Sequence, residues 1–201
     1  MIVTGLEAVG KNRSRVYLDE ELAFVLYKGE LSRYGIKEGA ELSEDIYREI
    51  LDTVLTKRAK LRCMNLLKSM DRTEFQLRQK LRQGDYPEEV TERAIAYVKK
   101  FGYVNDRAYA LRYIESRQGR DARRQIACDL RQKGISQDVI QEAFEEAEPQ
   151  DEEALIRRLA EKKHIDPRTA DRKERQRLYG FLMRKGFSSE AIGRALREKI
   201  D

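Results

Sequence analysis

Three segments of the chain align without gaps and decide its fold: LRQKLRQGDYPEEVTERAI (77–95), IACDLRQKGISQDVIQEAF (126–144) and LYGFLMRKGFSSEAIGRAL (178–196). Successive copies start 49 and 52 residues apart, and apolar residues recur at the same positions in all three. Self-similarity with a period of about 50 residues is typical of a chain built from repeated packing units. The sequence therefore predicts a repeat protein.

Each segment has the pattern of two amphipathic helices joined by a tight turn. In the second and third copies the first helix ends at Gly134 and Gly186, where a left-handed residue caps a helix without a Cβ clash. Ser136 and Ser188 follow as N-caps of the next helix. The first copy departs from this pattern because it has QGDY at 83–86. The segments predict three helix-turn-helix units.

A further helix precedes each pair, such as NDRAYALRYIESR (105–117) in the second copy and DEEALIRRLAEKK (151–163) in the third. The third copy also contains the polar run HIDPRTADRK (164–173), in which Pro167 favours a loop. A single three-helix unit of about 50 residues has a marginal core, so we expect the units to stack in series. The predicted fold class is mainly α, with three tandem three-helix-bundle repeats in an elongated, curved array.

The N-terminal residues differ from the repeats because they predict strands. Val16–Leu18 and Leu22–Tyr27 are β-branched or aromatic runs that indicate a hairpin, and Ile2–Leu6 favours a third strand. A helical period begins after the N-cap Ser43, with a break expected near Met70. We predict four domains, which are a β-hairpin-containing module at 1–43 and helical repeats at 44–104, 105–148 and 149–201.

Composition excludes several classes of protein. Charged residues make up 38% of the 201 residues, and no run approaches the 18 or so apolar residues of a membrane span. The N-terminus lacks the apolar core of a secretory signal. Cys63 and Cys128 form no CxxC motif, which favours ordinary helix residues over a disulfide or a zinc site. We expect a cytoplasmic protein without membrane contact.

The sequence contains only weak evidence for a catalytic or nucleotide-binding motif. GLEAVGK (5–11) fits the start of a nucleotide-binding P-loop, but Asn12 stands where a Ser or Thr must hold magnesium. The single histidine, His164, has neither a second histidine nor a cysteine nearby in sequence. We predict that the protein is not an enzyme, with no catalytic residue, no metal and no cofactor.

Charge is arranged in blocks. Residues 56–133 carry 20 basic against 10 acidic side chains and residues 162–201 carry 12 against 6, whereas 1–55 and 134–161 are net acidic. The planar guanidinium group of arginine binds phosphates and carboxylates. Basic residues recur around the middle helix of each repeat, and this pattern predicts a binding face. The competing interpretation is an ordinary solvated helix array. The predicted face consists of Arg78, Lys80, Arg82, Arg120, Arg123, Arg124, Arg131, Lys133, Arg175, Arg177, Arg184 and Lys185.

Three tyrosines near this face have two interpretations. Tyr103, Tyr109 and Tyr113 are of a type that stacks on nucleic-acid bases. Helical spacing instead favours packing in the core or at an interface. We expect packing.

The run GYVNDRAYALRYIESRQGRDARRQIACDLRQKGI (102–135), together with RKGFS at 184–188, resembles the RecX family of recombination regulators. The resemblance is specific because an aromatic residue before Val-Asn-Asp, then Tyr-Ala, Tyr-Ile, Arg and Lys-Gly-Ile occur in order. It covers about residues 57–201, and the N-terminal module resembles an extension carried by some members. The departures are the turn at 83–86 and the insertion at 164–173, and neither removes an apolar anchor.

The resemblance implies a non-enzymatic modulator of the RecA recombinase in DNA recombination, DNA repair and the SOS response. Such a protein lies in the helical groove of the RecA filament on single-stranded DNA and suppresses ATP hydrolysis and strand exchange. It makes the predicted basic face a surface for RecA or DNA. We expect a monomer whose partners are the RecA filament and single-stranded DNA, and duplex DNA is left open.

Two other functions remain as alternatives. The first is a direct DNA-binding regulator, since each unit contains helix-turn-helix geometry. Against it stands the absence of a recognisable dimerisation zipper in the sequence. The second is a helical adaptor without a nucleic-acid role.

Overall fold

The structure is a computed structural model that describes residues 1–166 and 169–197. The chain forms two compact units that divide between Asn105 and Asp106. Unit 1 contains an N-terminal sheet and the first helical repeat, and unit 2 contains the second and third repeats.

Unit 1 begins with a three-stranded antiparallel sheet in the order β1 (Val3–Val9), β2 (Arg13–Leu18) and β3 (Glu21–Tyr27). The β2–β3 turn consists of Asp19 and Glu20, both with positive φ, as tight hairpins require. The predicted hairpin and third strand are confirmed. The GLEAVGK motif lies in β1 and the β1–β2 turn, which is incompatible with a P-loop at a helix N-terminus.

The sheet leads into the first repeat through helical segments. These are α1 (Lys28–Arg33), α2 (Glu44–Glu49), a π-helical stretch (Ile50–Leu55) and α3 (Thr56–Ser69). The Ser43 hydroxyl accepts the Ile46 N–H at 3.3 Å, so the expected N-cap is present. The helix ends at the extended residue Met70, at the predicted break.

Helices α4 (Glu74–Arg82) and α5 (Glu88–Lys100) complete the first repeat. One continuous core joins the repeat to the sheet, because the buried side chains of Phe24, Leu55 and Leu81 belong to the same apolar cluster. The N-terminal strands and the first repeat therefore bury their apolar faces together. The four-domain division stays a prediction, as does the elongated, curved array.

Unit 2 holds the remaining six helices of the described chain. Three belong to the second repeat: α6 (Asp106–Arg117), α7 (Arg123–Gln132) and α8 (Gln137–Glu146). The third repeat follows with α9 (Glu152–Lys162), α10 (Arg172–Arg184) and α11 (Ser189–Arg197). The mainly helical prediction is confirmed. Pro167, on which the predicted loop was based, lies outside the described residues.

The turn between the second and third helices is closed in the same way in every repeat. The aligned residues Asp85, Gly134 and Gly186 have φ of 55°, 81° and 91°. In all three copies the N–H of the next residue donates to the carbonyl five residues before it. The predicted glycine caps are confirmed. In the first copy the left-handed position belongs to Asp85, one residue after Gly84.

The sequence predicts no catalytic or metal-binding role for His164, Cys63 and Cys128, and the structure gives their environments. His164 is exposed and has φ of 55°, so it closes the end of α9 in the left-handed conformation. Cys63 is buried on α3, where burial raises the pKa of its thiol to about 11, and Cys128 lies half-buried on α7 with a free thiol. No His, Cys, Asp and Glu cluster suited to a metal occurs among the described residues. No described helix is long and apolar enough to cross a membrane.

Candidate functional site

The predicted basic face separates into residues in different environments. Three side chains form ion pairs with carboxylates: Arg78, Arg82 and Lys185. Two lie over aromatic rings: Arg123 and Lys133. Lys80 lines a cavity of unit 1. The other six are exposed and form neither kind of contact within the described residues: Arg120, Arg124, Arg131, Arg175, Arg177 and Arg184.

Arg78 and Arg82 of the first repeat join α4 to α5 through ion pairs. Arg78 Nε and Nη2 donate to the two carboxylate oxygens of Glu92 at 2.6 and 2.9 Å, and Nη1 donates to Glu74 at 3.4 Å. Arg82 donates to Glu88 at 3.0 Å. The hydrogen bond from Arg78 holds the pKa of Glu92 below its ordinary value. Both guanidinium groups are therefore engaged within the repeat.

The second repeat presents its arginines differently, at the two ends of α7. Arg123 and Arg124 occupy the first turn, which carries no acidic residue. The helices α4, α5, α8, α9 and α10 all have an acidic residue in that turn. Because a helix N-terminus carries partial positive charge, two arginines there oppose the dipole. Arg131 is exposed at the other end, seven residues from Arg124, which places the two side chains on one face of α7.

Two cations of the second repeat pack on aromatic rings of that repeat. The Arg123 guanidinium lies 4.4 Å from the centroid of Phe144 and also donates to Gln141 at 3.2 Å. Lys133 Nζ lies 5.3 Å from the centroid of Tyr113. These contacts order the two side chains at the surface of the unit.

The tyrosine packing prediction is confirmed at Tyr109 and Tyr113, whereas Tyr103 lies outside the core and its packing at an interface stays a prediction. Tyr109 and Tyr113 stack with ring centroids 6.3 Å apart against the core of the second repeat. Tyr113 also donates to Asp129 at 2.9 Å. Tyr103 is 49% exposed and packs on Phe101, because it follows the end of α5 rather than lying within a helix.

Lys185 connects the third repeat to the second. Its ammonium donates at 2.8 Å to Asp121, whose side chain is 8% exposed, and Arg117 contacts the same carboxylate at 3.4 Å. The Lys185 carbonyl accepts the Ala122 N–H at 3.0 Å. At Gly186, an added Cβ would come within 2.7 Å of the Gln125 Cβ. The two repeats of unit 2 therefore pack closely, and Lys185 supports that packing.

The six exposed arginines are the remaining candidates for binding. Within residues 1–166 and 169–197, none of their guanidinium groups forms an ion pair. Arg120 precedes α7, Arg124 lies in its first turn and Arg131 lies in its last turn. Arg175, Arg177 and Arg184 lie on α10. Unit 2 thus exposes positive charge on the middle helix of both its repeats.

A second group of cations was missed by sequence reasoning. Arg13, Arg58 and Arg62 line the cavity of unit 1 to which Lys80 contributes. Arg58 and Arg62 are four residues apart on α3, a spacing that places both on one helix face. That spacing was the available signal. The contribution of Arg13 depends on how the sheet packs on the repeat, and a sequence pattern does not give this.

The three helical repeats match family models. Residues 59–97 match the first three-helix domain of RecX, residues 105–143 match the second and residues 151–196 match the third. Regulatory protein RecX of Caldanaerobacter subterraneus subsp. tengcongensis is 32% identical, over 90% of this chain and 90% of its own length.

The chain belongs to the RecX family.

Other RecX proteins agree with this assignment. Regulatory protein RecX of Clostridium acetobutylicum is 30% identical over 98% of this chain and 95% of its own length. A crystal structure of regulatory protein RecX superposes with a TM-score of 0.63 at 27% identity, and covers 98% of this chain and 99% of that one. The match to RecX therefore includes the N-terminal sheet as well as the repeats. The prediction of the family from residues 102–135 and 184–188 is confirmed.

Proposed function

We propose that this protein regulates the RecA recombinase by binding the RecA filament on single-stranded DNA in its helical groove and reducing ATP hydrolysis and strand exchange. Membership of the RecX family, whose relatives are named regulatory proteins, supports a regulatory role. The proposal involves no chemical step performed by the protein itself. It acts by contact.

The observation that carries the proposal is the set of exposed arginines in unit 2. Six guanidinium groups on or beside α7 and α10 have no carboxylate partner within the described chain. The N–H groups of an unpaired, exposed guanidinium can donate hydrogen bonds to a phosphate or a carboxylate of a partner. Arg78 and Arg82 of the first repeat are less suited to this because they pair with Glu92 and Glu88.

The arrangement on two successive repeats favours an extended partner. Each exposed contact is weak, because surface charge pairs contribute about 0–1 kcal/mol each. Several such contacts to neighbouring positions of one assembly add through effective concentration. A filament with regularly repeated protein and phosphate groups is a partner of this kind.

The alternative of a helix-turn-helix reader of duplex DNA is less well supported. In that arrangement the helix after the turn enters the major groove. In the second repeat this helix is α8, QDVIQEAFEE, which has no basic residue and carries Asp138, Glu142, Glu145 and Glu146. Four carboxylates on one short helix oppose the approach of DNA phosphates.

A titration of RecA with the full chain tests the proposal. RecA, ATP and single-stranded DNA are mixed, and ATP turnover is measured as the protein is added. We expect turnover to fall at substoichiometric to near-stoichiometric amounts. Unchanged turnover over the whole titration would overturn the proposal. Binding to duplex DNA without RecA, if it showed strong sequence preference, would instead favour the helix-turn-helix alternative.

A further inference from the structure

Unit 1 contains a cavity of about 520 Å³ between the sheet, α3 and the turn after α4. Its volume lies in the range of small-molecule sites, which is about 300–1,000 Å³. The four cations Arg13, Arg58, Arg62 and Lys80 line it, and no acidic residue is among the described residues that do. The cavity is therefore lined by one sign of charge.

Three of these four cations lack a compensating carboxylate. Arg58 is neutralised by Glu30, whose Oε2 accepts from Nη2 at 2.6 Å. Arg13 and Arg62 form no ion pair within the part of the chain that the structure describes, and Lys80 donates to the neutral Gln83 at 3.1 Å. Uncompensated like charges around one cavity repel each other, and a bound anion relieves that repulsion.

An aromatic surface lies beside the cations. Tyr27 lines the cavity and is 44% exposed. The Arg58 guanidinium carbon lies 4.6 Å from the centroid of the Tyr27 ring. Tyr86 lines the same cavity and is half-buried. Burial raises the pKa of Tyr86, and the positive charges of Arg58 and Arg62 act in the opposite direction. Aromatic rings next to arginines are the combination that binds a base and its phosphate together.

The walls of the cavity are held in place by contacts that leave Arg13, Arg62 and Lys80 available. Arg58 donates to the Val25 carbonyl at 3.1 Å in addition to Glu30, which fixes α3 to β3. Arg15 Nε donates to Asp85 at 2.8 Å, which fixes β2 to the turn after α4. The cavity is thus formed by the fold without a ligand, so binding requires little ordering of the backbone.

We propose that this cavity binds a nucleotide, with its phosphate on Arg13, Arg62 and Lys80 and its base against Tyr27. Arg58 is a positioning residue, because its guanidinium is occupied by Glu30 and supports the Tyr27 ring. The same chemistry is offered by a free nucleotide and by a nucleotide within a single strand. The site is separate from the arginines of unit 2 and does not depend on the proposed regulation of RecA.

Fluorescence titrations of the full chain without RecA test this site. One probe is a dATP carrying a fluorescent label on its ribose, and the other is a short fluorescein-labelled oligo(dT). We expect Arg62→Glu and Lys80→Glu each to weaken binding by about tenfold or more, because each replaces a phosphate ligand with a repelling charge. Lys57→Glu is the matched control, since Lys57 is exposed on the same helix but does not line the cavity.

The outcomes separate the two sources of the ligand. If wild type binds the labelled dATP and Arg62→Glu does not, the cavity is a site for a free nucleotide. If wild type binds only the labelled oligonucleotide and Arg62→Glu does not bind it, the cavity is a site for a nucleotide within a strand. Absence of binding by both probes would overturn the proposal. So would equal losses in Arg62→Glu and Lys57→Glu, or displacement of the probe by polyglutamate as readily as by unlabelled nucleotide. Circular dichroism shows that each variant compared is folded, and Lys80→Glu replaces Arg62→Glu if the latter is not.

Discussion

Arg82 and Arg131 are aligned in the first and second repeats, yet within the described residues Arg82 forms an ion pair and Arg131 does not. Arg82 pairs with Glu88, six residues later, and the residue six positions after Arg131 is the uncharged Gln137. The carboxylate that binds Arg78 belongs to Glu92, whose counterpart in the second repeat is Gln141. Arg131 therefore differs from Arg82 in the residue at the partner position, whereas Arg78 has no arginine counterpart, because Ala127 is aligned with it in the second repeat.

This difference separates cations that join helices from cations that we propose for binding. In the first repeat, basic residues on α4 bind carboxylates of α5 and tie the two helices together. In the second repeat, the uncharged Gln137 stands at the position aligned with Glu88, and Arg131 forms no ion pair within the described residues. Lys185 in the third repeat is again a packing residue, because it pairs with the buried Asp121. The cations that have partners support the fold, and those without them are available for binding.

The largest effect on stability is expected where an ion pair is buried. Asp121→Ala removes the carboxylate shared by Lys185 and Arg117, and we expect a loss of about 2–3 kcal/mol in the free energy of unfolding. The loss stays below that of a fully buried pair because both cations reach solvent. Urea denaturation measures it. Glu88→Gln, which breaks an exposed pair, is the control, with an expected loss below about 1 kcal/mol. Equal losses would contradict the assignment of Lys185 to packing.

A smaller effect is expected when the partner of the first repeat is placed in the second. Gln137→Glu gives Arg131 the carboxylate that Arg82 has, so we expect about two- to threefold more protein to be needed for half-maximal inhibition of RecA ATP turnover. The reciprocal Glu88→Gln should leave inhibition at the wild-type level or slightly stronger. Weaker inhibition in Glu88→Gln than in Gln137→Glu would reverse the comparison.

The smallest effect concerns the dependence of stability on pH. Arg78 lowers the pKa of Glu92 from its ordinary value of 4.5, so the unfolded chain binds a proton there at a higher pH than the folded chain. The pair therefore stabilises the fold above pH 4.5, and this contribution is lost as the pH falls through the lowered pKa. In melting temperatures measured below pH 4.5, Glu92→Gln should show a shallower decline than wild type. Glu115→Gln, at an exposed carboxylate, should follow the wild-type curve, and a parallel decline in Glu92→Gln would refute the role of the pair.

The sequence was sufficient for much of the fold, because the same apolar positions recur in three copies. Those positions are the buried ones in the structure, such as Leu81, Leu130 and Leu182. The first-repeat cap was harder to place, because the glycine lies one position early. Asp85 takes the left-handed conformation there and binds Arg15 of the sheet, a contact 70 residues apart in the chain.

The candidate site was less predictable, since counting basic residues does not show which of them are neutralised. Arg78 and Lys185 resembled the other members of the predicted face, and their partners became evident only from the packing of helices. The cavity of unit 1 depends on the approach of a strand to a helix, which no local pattern encodes. Once the structure shows the Arg82–Glu88 pair, the alignment of the repeats places the uncharged Gln137 at the corresponding partner position of Arg131.

We propose that the arginines of unit 2 that form no ion pair within the described residues act on RecA, and that Arg78 and Arg82, which are paired, support the fold. The most direct test measures RecA ATP turnover on single-stranded DNA with the Arg124→Glu, Arg131→Glu double variant, and with the charge-swapped control Arg82→Glu, Glu88→Arg. We predict that the first requires about tenfold more protein for half-maximal inhibition, equivalent to about 1.4 kcal/mol, and that the second stays within about twofold of wild type. Wild-type inhibition by the first variant, with its helicity intact, would contradict the account.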